Sequence, residues 1–147
     1  MIEPLEVEFT VACSPEHAFR VWTERISQWW PKGHSVSSDP ELEVVIEPRE
    51  GGRIFERTPA GDEHEWGEVT TWEPPRVLGY LWHIAQSRED ATDVTIRFDG
   101  EGEGTRVSIS QAGWERLGER GSRLRERNHS GWAALRPHYE RACRAAA

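Results

Sequence analysis

Residues 67–82 read GEVTTWEPPRVLGYLW, and this stretch contains two strands joined by a proline turn. Apolar and polar residues alternate on both sides of Pro74-Pro75, which is the period-two pattern of a strand with one buried face. A proline cannot donate a ladder hydrogen bond, so the pair ends one strand and sets the turn into the next. We predict strands over 65–73 and 77–85 that pair as an antiparallel hairpin.

The same alternation extends outward from this hairpin. It predicts further strands over residues 5–11, 42–46, 53–58, 94–98 and 105–111, with a Gly/Glu-rich hairpin loop over 99–104. Between the first two strands, Ser14 and Pro15 have the residue types that cap a helix and occupy its first turn. We predict that this helix ends near Arg25 and that a short second helix runs from Ile26 to Trp30 before Pro31 stops it.

A change to helical periodicity marks the C-terminal part of the chain. Its apolar stripe consists of Leu117, Leu124, Trp132, Leu135, Tyr139 and Ala142. Pro137 lies inside the stripe, so we expect a kink there or a helix that ends earlier. The order of strand, two helices, six strands and long helix predicts an α+β fold. In it, a curved antiparallel sheet is covered by the C-terminal helix, and a ligand cavity can form between them.

Composition limits the class of protein. The chain has 147 residues, of which 36% are apolar and 30% charged, and we expect one domain over 1–147. It contains no apolar run long enough to span a membrane. An N-terminus without a basic and apolar leader predicts a cytoplasmic protein. Residues 1–112 carry 10 basic against 22 acidic side chains, which argues against nucleic acid as a partner.

Cysteines and histidines show no ligand spacing. Cys13 and Cys143 are too few for a disulfide scaffold, and we expect them to be buried thiols. The six histidines are scattered, with neither a CxxC nor an HExxH motif, so we expect no metal and no cofactor.

Four segments resemble one family. They are Trp22-Thr23 through Gln28-Trp29-Trp30-Pro31, then 47–55 with Gly51-Gly52, then 67–82, and Gly131-Trp132-Ala133-Ala134-Leu135. In this order they are similar to the START/Bet v 1-like (SRPBCC) superfamily and, within it, to the branch named after the activator of Hsp90 ATPase (AHSA1). The resemblance implies the helix-grip fold over roughly residues 4–145. None of the four segments is a catalytic signature.

The aromatic residues are the best candidates for a ligand site. Trp and Tyr present an apolar body with a polar group, which suits a pocket wall, although ordinary core packing explains them equally well. Our candidate ligand-binding residues are Phe55, Trp66, Tyr80, Trp82, Trp114 and Trp132, with His129 as a polar contact. Tyr80 and Trp82 share a strand face that we expect to point inward. His83 lies on the other face, so it is expected to be exposed unless it serves as a general base at the cavity mouth.

Three functions remain open at this point. The first is binding of a small hydrophobic or amphipathic molecule in the cavity. The second is an enzyme of cyclase, dehydratase or hydrolase type that uses the same cavity and would need a convergent polar pair inside it. The third is a chaperone-interaction module, as the family name implies. Under each of them the protein is expected to be a monomer or homodimer.

Overall fold

A computed structural model describes residues 2–145. Its elements in chain order are β1 (Leu5–Val11), α1 (Pro15–Thr23), α2 (Ile26–Trp29), β2 (Glu43–Ile46), β3 (Arg53–Arg57), β4 (Glu63–Glu73), β5 (Val77–Trp82), a 3-10 turn (Arg88–Asp90), β6 (Thr92–Glu101), β7 (Gly104–Ala112), a 3-10 segment (Trp114–Arg120) and α3 (Gly121–Ala145).

All the strands join one antiparallel sheet in the order β1-β7-β6-β5-β4-β3-β2. Consecutive strands from β2 to β7 pair as neighbours, while β1 pairs with the last strand, from Leu5 opposite Gln111 to Val11 opposite Thr105. Register shifts interrupt the ladders at Ile54/Phe55 and at Val69/Thr71. Such bulges bend strands and help to curl the sheet around a covering helix. The predicted α+β helix-grip architecture is confirmed.

The first helix begins as its sequence predicts. Ser14 has an extended backbone, and its hydroxyl accepts a hydrogen bond from the amide of His17 at 3.2 Å. The helix buries Phe19 and Trp22 against the sheet. Its carbonyl at Ala18 accepts a hydrogen bond from the Tyr139 hydroxyl at 2.7 Å, which ties α1 to α3.

The largest differences from the predicted strand boundaries have local causes. Strand β5 ends at Trp82 instead of continuing to Ala85, because the chain turns there with Ala85 at φ 58°. Strands β6 and β7 extend into the predicted 99–104 loop, so that only residues 102 and 103 remain in the loop. Gly102, at φ 61°, supplies the left-handed conformation that so tight a loop requires.

The last helix is shorter at its start and longer at its end than the apolar stripe predicts. Leu117 lies in the 3-10 segment, because Gly118 adopts a non-helical conformation (φ 61°, ψ −132°) that separates it from α3. The helix then passes through Pro137 and continues to Ala145, so the expectation of an earlier end is wrong. Trp132, Leu135 and Tyr139 are buried in the core, and Leu124 packs half-buried against it.

Candidate functional site

A cavity of about 530 Å³ opens between one end of the sheet and the first half of α3. Its walls come from the loop after α2, the residues that follow β5, the end of β7, the 3-10 segment and α3. The residues that line it are Trp30, Gly33, His34, Ser35, Trp82, His83, Ile84, Ala85, Gln86, Asp90, Thr92, Gln111, Trp114, Leu117, Leu124, Arg127, Asn128, Ser130, Gly131, Trp132, Ala134 and Leu135. The volume lies within the range of small-molecule sites.

Aromatic rings in tilted and edge-to-face contact form one wall of this cavity. The Trp82 ring lies 5.7 Å from the rings of Trp30, Trp66 and Tyr80, measured between centroids, and Trp30 lies 5.3 Å from Trp66. Of these four, Trp30 and Trp82 line the cavity, whereas Trp66 and Tyr80 are buried behind them. Burial also raises the pKa of the Tyr80 phenol, so the hydroxyl remains neutral. The wall is therefore apolar and supported by neighbouring rings.

Gln111 fixes the tryptophans of the opposite wall. Its side chain is fully buried at the end of β7. The indole N–H of Trp132 donates to its Oε1 at 2.8 Å, and the indole N–H of Trp114 donates to its backbone carbonyl at 2.9 Å. Its own amide donates to the Thr92 hydroxyl at 2.9 Å and to Asn128 Oδ1 at 3.4 Å. One residue thus satisfies the N–H groups of both indoles, so neither needs a polar partner from a ligand.

A buried carboxylate holds the loop at the cavity's edge. Glu56 on β3 accepts hydrogen bonds from the amides of Val36 and Ser37, from the Ser37 hydroxyl and from the Trp66 indole. Burial on its own would raise the pKa of this carboxyl. The hydrogen bonds, led by that of the Ser37 hydroxyl, outweigh burial and hold the pKa below its ordinary value. Glu56 therefore stays ionised and orders the segment that contributes Ser35 to the wall.

Polar groups gather at the mouth. Arg120 donates to Gln86 Oε1 and to Asp90 Oδ2, each at 3.0 Å, which braces the chain after β5 against the 3-10 segment. Arg127 lies exposed at the rim on α3. The mouth therefore carries a cationic side chain above an apolar interior, an arrangement that suits an amphipathic molecule.

His83 is the least satisfied polar side chain of the cavity wall. Its side chain is 4% exposed, and within residues 2–145 neither ring nitrogen has a hydrogen-bond partner. The nearest carboxylate is Glu65 on β4, with Nε2 to Oε2 at 3.6 Å. The expectation of an exposed His83 is wrong, because β5 ends at Trp82 and His83 lies at the start of the turn that follows, where its side chain is buried.

Comparison with known proteins assigns the family. The model for "Activator of Hsp90 ATPase homolog 1-like protein" matches residues 12–135. The chain belongs to this family. Among curated protein sequences none matches this AHSA1-like chain.

Solved structures share the fold. MLL2253 from Mesorhizobium loti superposes with a TM-score of 0.71 at 21% identity, covering 95% of this chain and 96% of that one. The Aha1 dimer of Colwellia psychrerythraea gives 0.71 at 13% identity, covering 97% and 96%. The anthrahydroquino-gamma-pyrone synthase Txn09, complexed with a compound designated SUM, gives 0.61 at 31% identity and covers 84% of each chain.

The AHSA1-like structure brings together only part of the candidate site. Trp82, Trp114 and Trp132 line the cavity. Trp66 and Tyr80 support it from behind, as described above.

Two of the candidates lie elsewhere. The Phe55 ring packs beneath the guanidinium groups of Arg53 and Arg57, at 4.2 and 5.2 Å, outside the main core cluster. Ile54 and Glu56 point toward the core from β3, so Phe55 between them lies on the opposite face of the strand. His129 is exposed on α3 and does not line the cavity, although Asn128 beside it does.

Sequence reasoning missed Trp30 and Gln111, and it placed His83 at the cavity only under the alternative of a general base at the mouth. The signal for Gln111 was present, because Thr105, Val107, Ile109 and Gln111 alternate on the buried face of β7. Among residues 2–145, no group of three His, Cys, Asp or Glu side chains is placed to hold a metal ion. No helix in that part of the chain is long and apolar enough to cross a membrane.

Proposed function

We propose that this protein binds a flat, amphipathic aromatic molecule in the cavity between the sheet and α3. The observation that carries the proposal is a cavity of about 530 Å³ whose lining includes four tryptophans. Trp30 and Trp82 come from the end of α2 and from β5, and Trp114 and Trp132 come from the 3-10 segment and α3. Aromatic walls favour planar ligands through offset and edge-to-face stacking. The proposed ligand contacts are Trp82, Trp114 and Trp132, with Trp66 and Tyr80 as support.

The class of ligand is supported by the relative Txn09. Its name describes a synthase whose product joins a gamma-pyrone to an anthrahydroquinone, which is a flat polycyclic framework bearing hydroxyl groups. At 31% identity over 84% of each chain the likeness goes beyond the fold alone. We therefore expect hydroxylated polycyclic aromatic compounds to bind better than flexible aliphatic ones.

A second candidate function is catalysis of the cyclase, dehydratase or hydrolase type in the same cavity. Two observations favour it: the synthase name of Txn09, and the buried His83 without a hydrogen-bond partner within residues 2–145. Binding and catalysis are separated by mass spectrometry of the bound compound. A carrier releases its ligand unchanged, whereas an enzyme changes its mass or its connectivity.

The test of binding is a titration that follows tryptophan emission with a panel of planar aromatic compounds and aliphatic compounds of equal size. The matched pair of variants is Trp82→Phe, at the cavity, and Trp72→Phe, whose ring packs on Phe19 at 5.2 Å instead. We expect planar compounds to change the emission of the natural chain and of Trp72→Phe, and to bind Trp82→Phe more weakly. If no compound binds, the cavity proposal fails and the chaperone-interaction function becomes the leading one.

A further inference from the structure

The imidazole of His83 occupies an unusual position for a buried polar group. It follows β5 directly and lines the cavity, and its backbone amide donates to the Trp66 carbonyl at 2.7 Å, which fixes the residue in place. Its ring nitrogens nevertheless have no hydrogen-bond partner within residues 2–145. Leaving buried polar atoms unpaired costs stability, so such groups call for an explanation, and a ligand that supplies the missing partner is one.

Glu65 favours one tautomer of the His83 ring. Its Oε2 lies 3.6 Å from His83 Nε2 and 3.9 Å from Nη1 of Arg88, which itself donates to Glu68. A carboxylate beside one imidazole nitrogen favours the tautomer that carries its proton there. With the proton on Nε2, Nδ1 is the nitrogen with a free lone pair. The pair thus provides a buried hydrogen-bond acceptor on a residue that lines the cavity, with the Glu65 carboxyl beside the other ring nitrogen.

We propose that His83 Nδ1 accepts the hydroxyl proton of a phenolic or enolic ligand and thereby selects hydroxylated aromatic compounds over their hydroxyl-free analogues. The inference rests on the proposed function, because it needs a ligand in the cavity. In the ground state the O–H donates a hydrogen bond to Nδ1. On full transfer the O–H bond breaks and an N–H bond forms, which leaves a phenolate and an imidazolium whose positive charge faces Glu65. No other reactant is required.

The test compares 2-naphthol with 2-methylnaphthalene, which has nearly the same shape and no hydroxyl. Affinities are measured by calorimetry for the natural chain, for His83→Leu, for His83→Gln, and for His129→Leu, a histidine on the exposed face of α3. We expect the natural chain and His129→Leu to prefer 2-naphthol by about tenfold, the value of one hydrogen bond. His83→Leu should lose this preference and keep its affinity for 2-methylnaphthalene.

Emission from bound 2-naphthol reports proton acceptance separately from affinity. Excited 2-naphthol is a strong acid whose neutral and naphtholate forms emit at different wavelengths. Water also accepts its proton, so the emission of the bound fraction is compared between the natural chain and the His83 variants after subtraction of the free ligand. We expect naphtholate emission from the natural chain, and neutral emission from His83→Leu and from His83→Gln, whose amide accepts a hydrogen bond but takes no proton. The Gln variant keeps the test valid should the Leu variant not fold.

The outcomes separate the two proposals. If both compounds bind but the preference and the naphtholate emission persist without His83, the inference about His83 is overturned while the cavity function stands. If neither naphthalene derivative nor any compound of the wider panel binds the natural chain, the cavity function itself is overturned, and the role of His83 with it.

Discussion

Replacing Glu56 by glutamine tests whether hydrogen bonds to this carboxylate hold the loop at the cavity's edge. Its two oxygens accept four hydrogen bonds, one of them from the Trp66 indole at 2.8 Å and two from Ser37 at 2.6 and 3.0 Å. In Glu56→Gln one oxygen becomes an NH₂ donor, so at least one buried N–H of Val36, Ser37 or Trp66 faces another donor. Hydrogen bonds to charged groups are worth about 1.5–3 kcal/mol, and a stranded buried donor adds about 1, so we expect destabilisation of about 2–4 kcal/mol.

The pH dependence provides a second and independent readout. Because the pKa of Glu56 is lower in the folded than in the unfolded state, ionised Glu56 contributes stability that is fully present above its unfolded pKa of about 4.3. That contribution is lost as the pH falls through the folded value. The difference in stability between the natural chain and Glu56→Gln should therefore narrow on acidification below about pH 4.

The assay is urea unfolding followed by tryptophan emission, at neutral pH and in steps down to about pH 3. The control is Glu43→Gln, since Glu43 is exposed on β2 and its loss should change little at neutral pH. Equal midpoints for Glu56→Gln and the natural chain, or a difference that stays constant with pH, would refute the hydrogen-bonded role of this carboxylate.

Three further changes test the core. Trp132→Ala should lower the free energy of unfolding by about 3–5 kcal/mol in urea, and an unchanged midpoint would contradict the packing of α3 on the sheet. Gly67→Ala should lower the thermal midpoint sharply, because an added Cβ would collide with the Leu81 carbonyl; a midpoint equal to that of the natural chain would contradict this close approach. Burial raises the pKa of Cys143 to about 12 and also raises that of Cys13, so iodoacetamide should label both thiols only in denaturant, and rapid native labelling seen by mass spectrometry would argue against their burial.

The sheet was predictable because its apolar residues repeat with period two. Strand β1 has the predicted bounds, and the Pro74-Pro75 turn joins β4 to β5 as expected. What could not be predicted were the inward face of β3 and the end of β5. The inward positions of β3 are Ile54 and the carboxylate Glu56, which places Phe55 on the other face, and the early end of β5 brings His83 to the cavity.

The cavity itself depends on space that pattern analysis does not measure. Trp66 and Trp82 occur in similar sequence patterns, but Trp66 is buried behind the cavity whereas Trp82 forms part of its wall. Which of the two applies depends on how the surrounding chain packs. The helix that borders the cavity begins only after the break at Gly118, which sequence periodicity gave no reason to place there.

The pairing of the first strand with the last has a consequence for the order in which the chain folds during synthesis. Strands β2 to β7 pair with sequence neighbours and can form a meander as they emerge, but β1 has no partner until β7 has been made. Until α3 has also been made, the apolar side chains of the first thirty residues, Trp22 and Trp29 among them, lack the Tyr139 ring that covers them. We expect that ribosome-bound chains lacking α3 bind general chaperones through this segment, and that emergence of α3 is the step that completes the core.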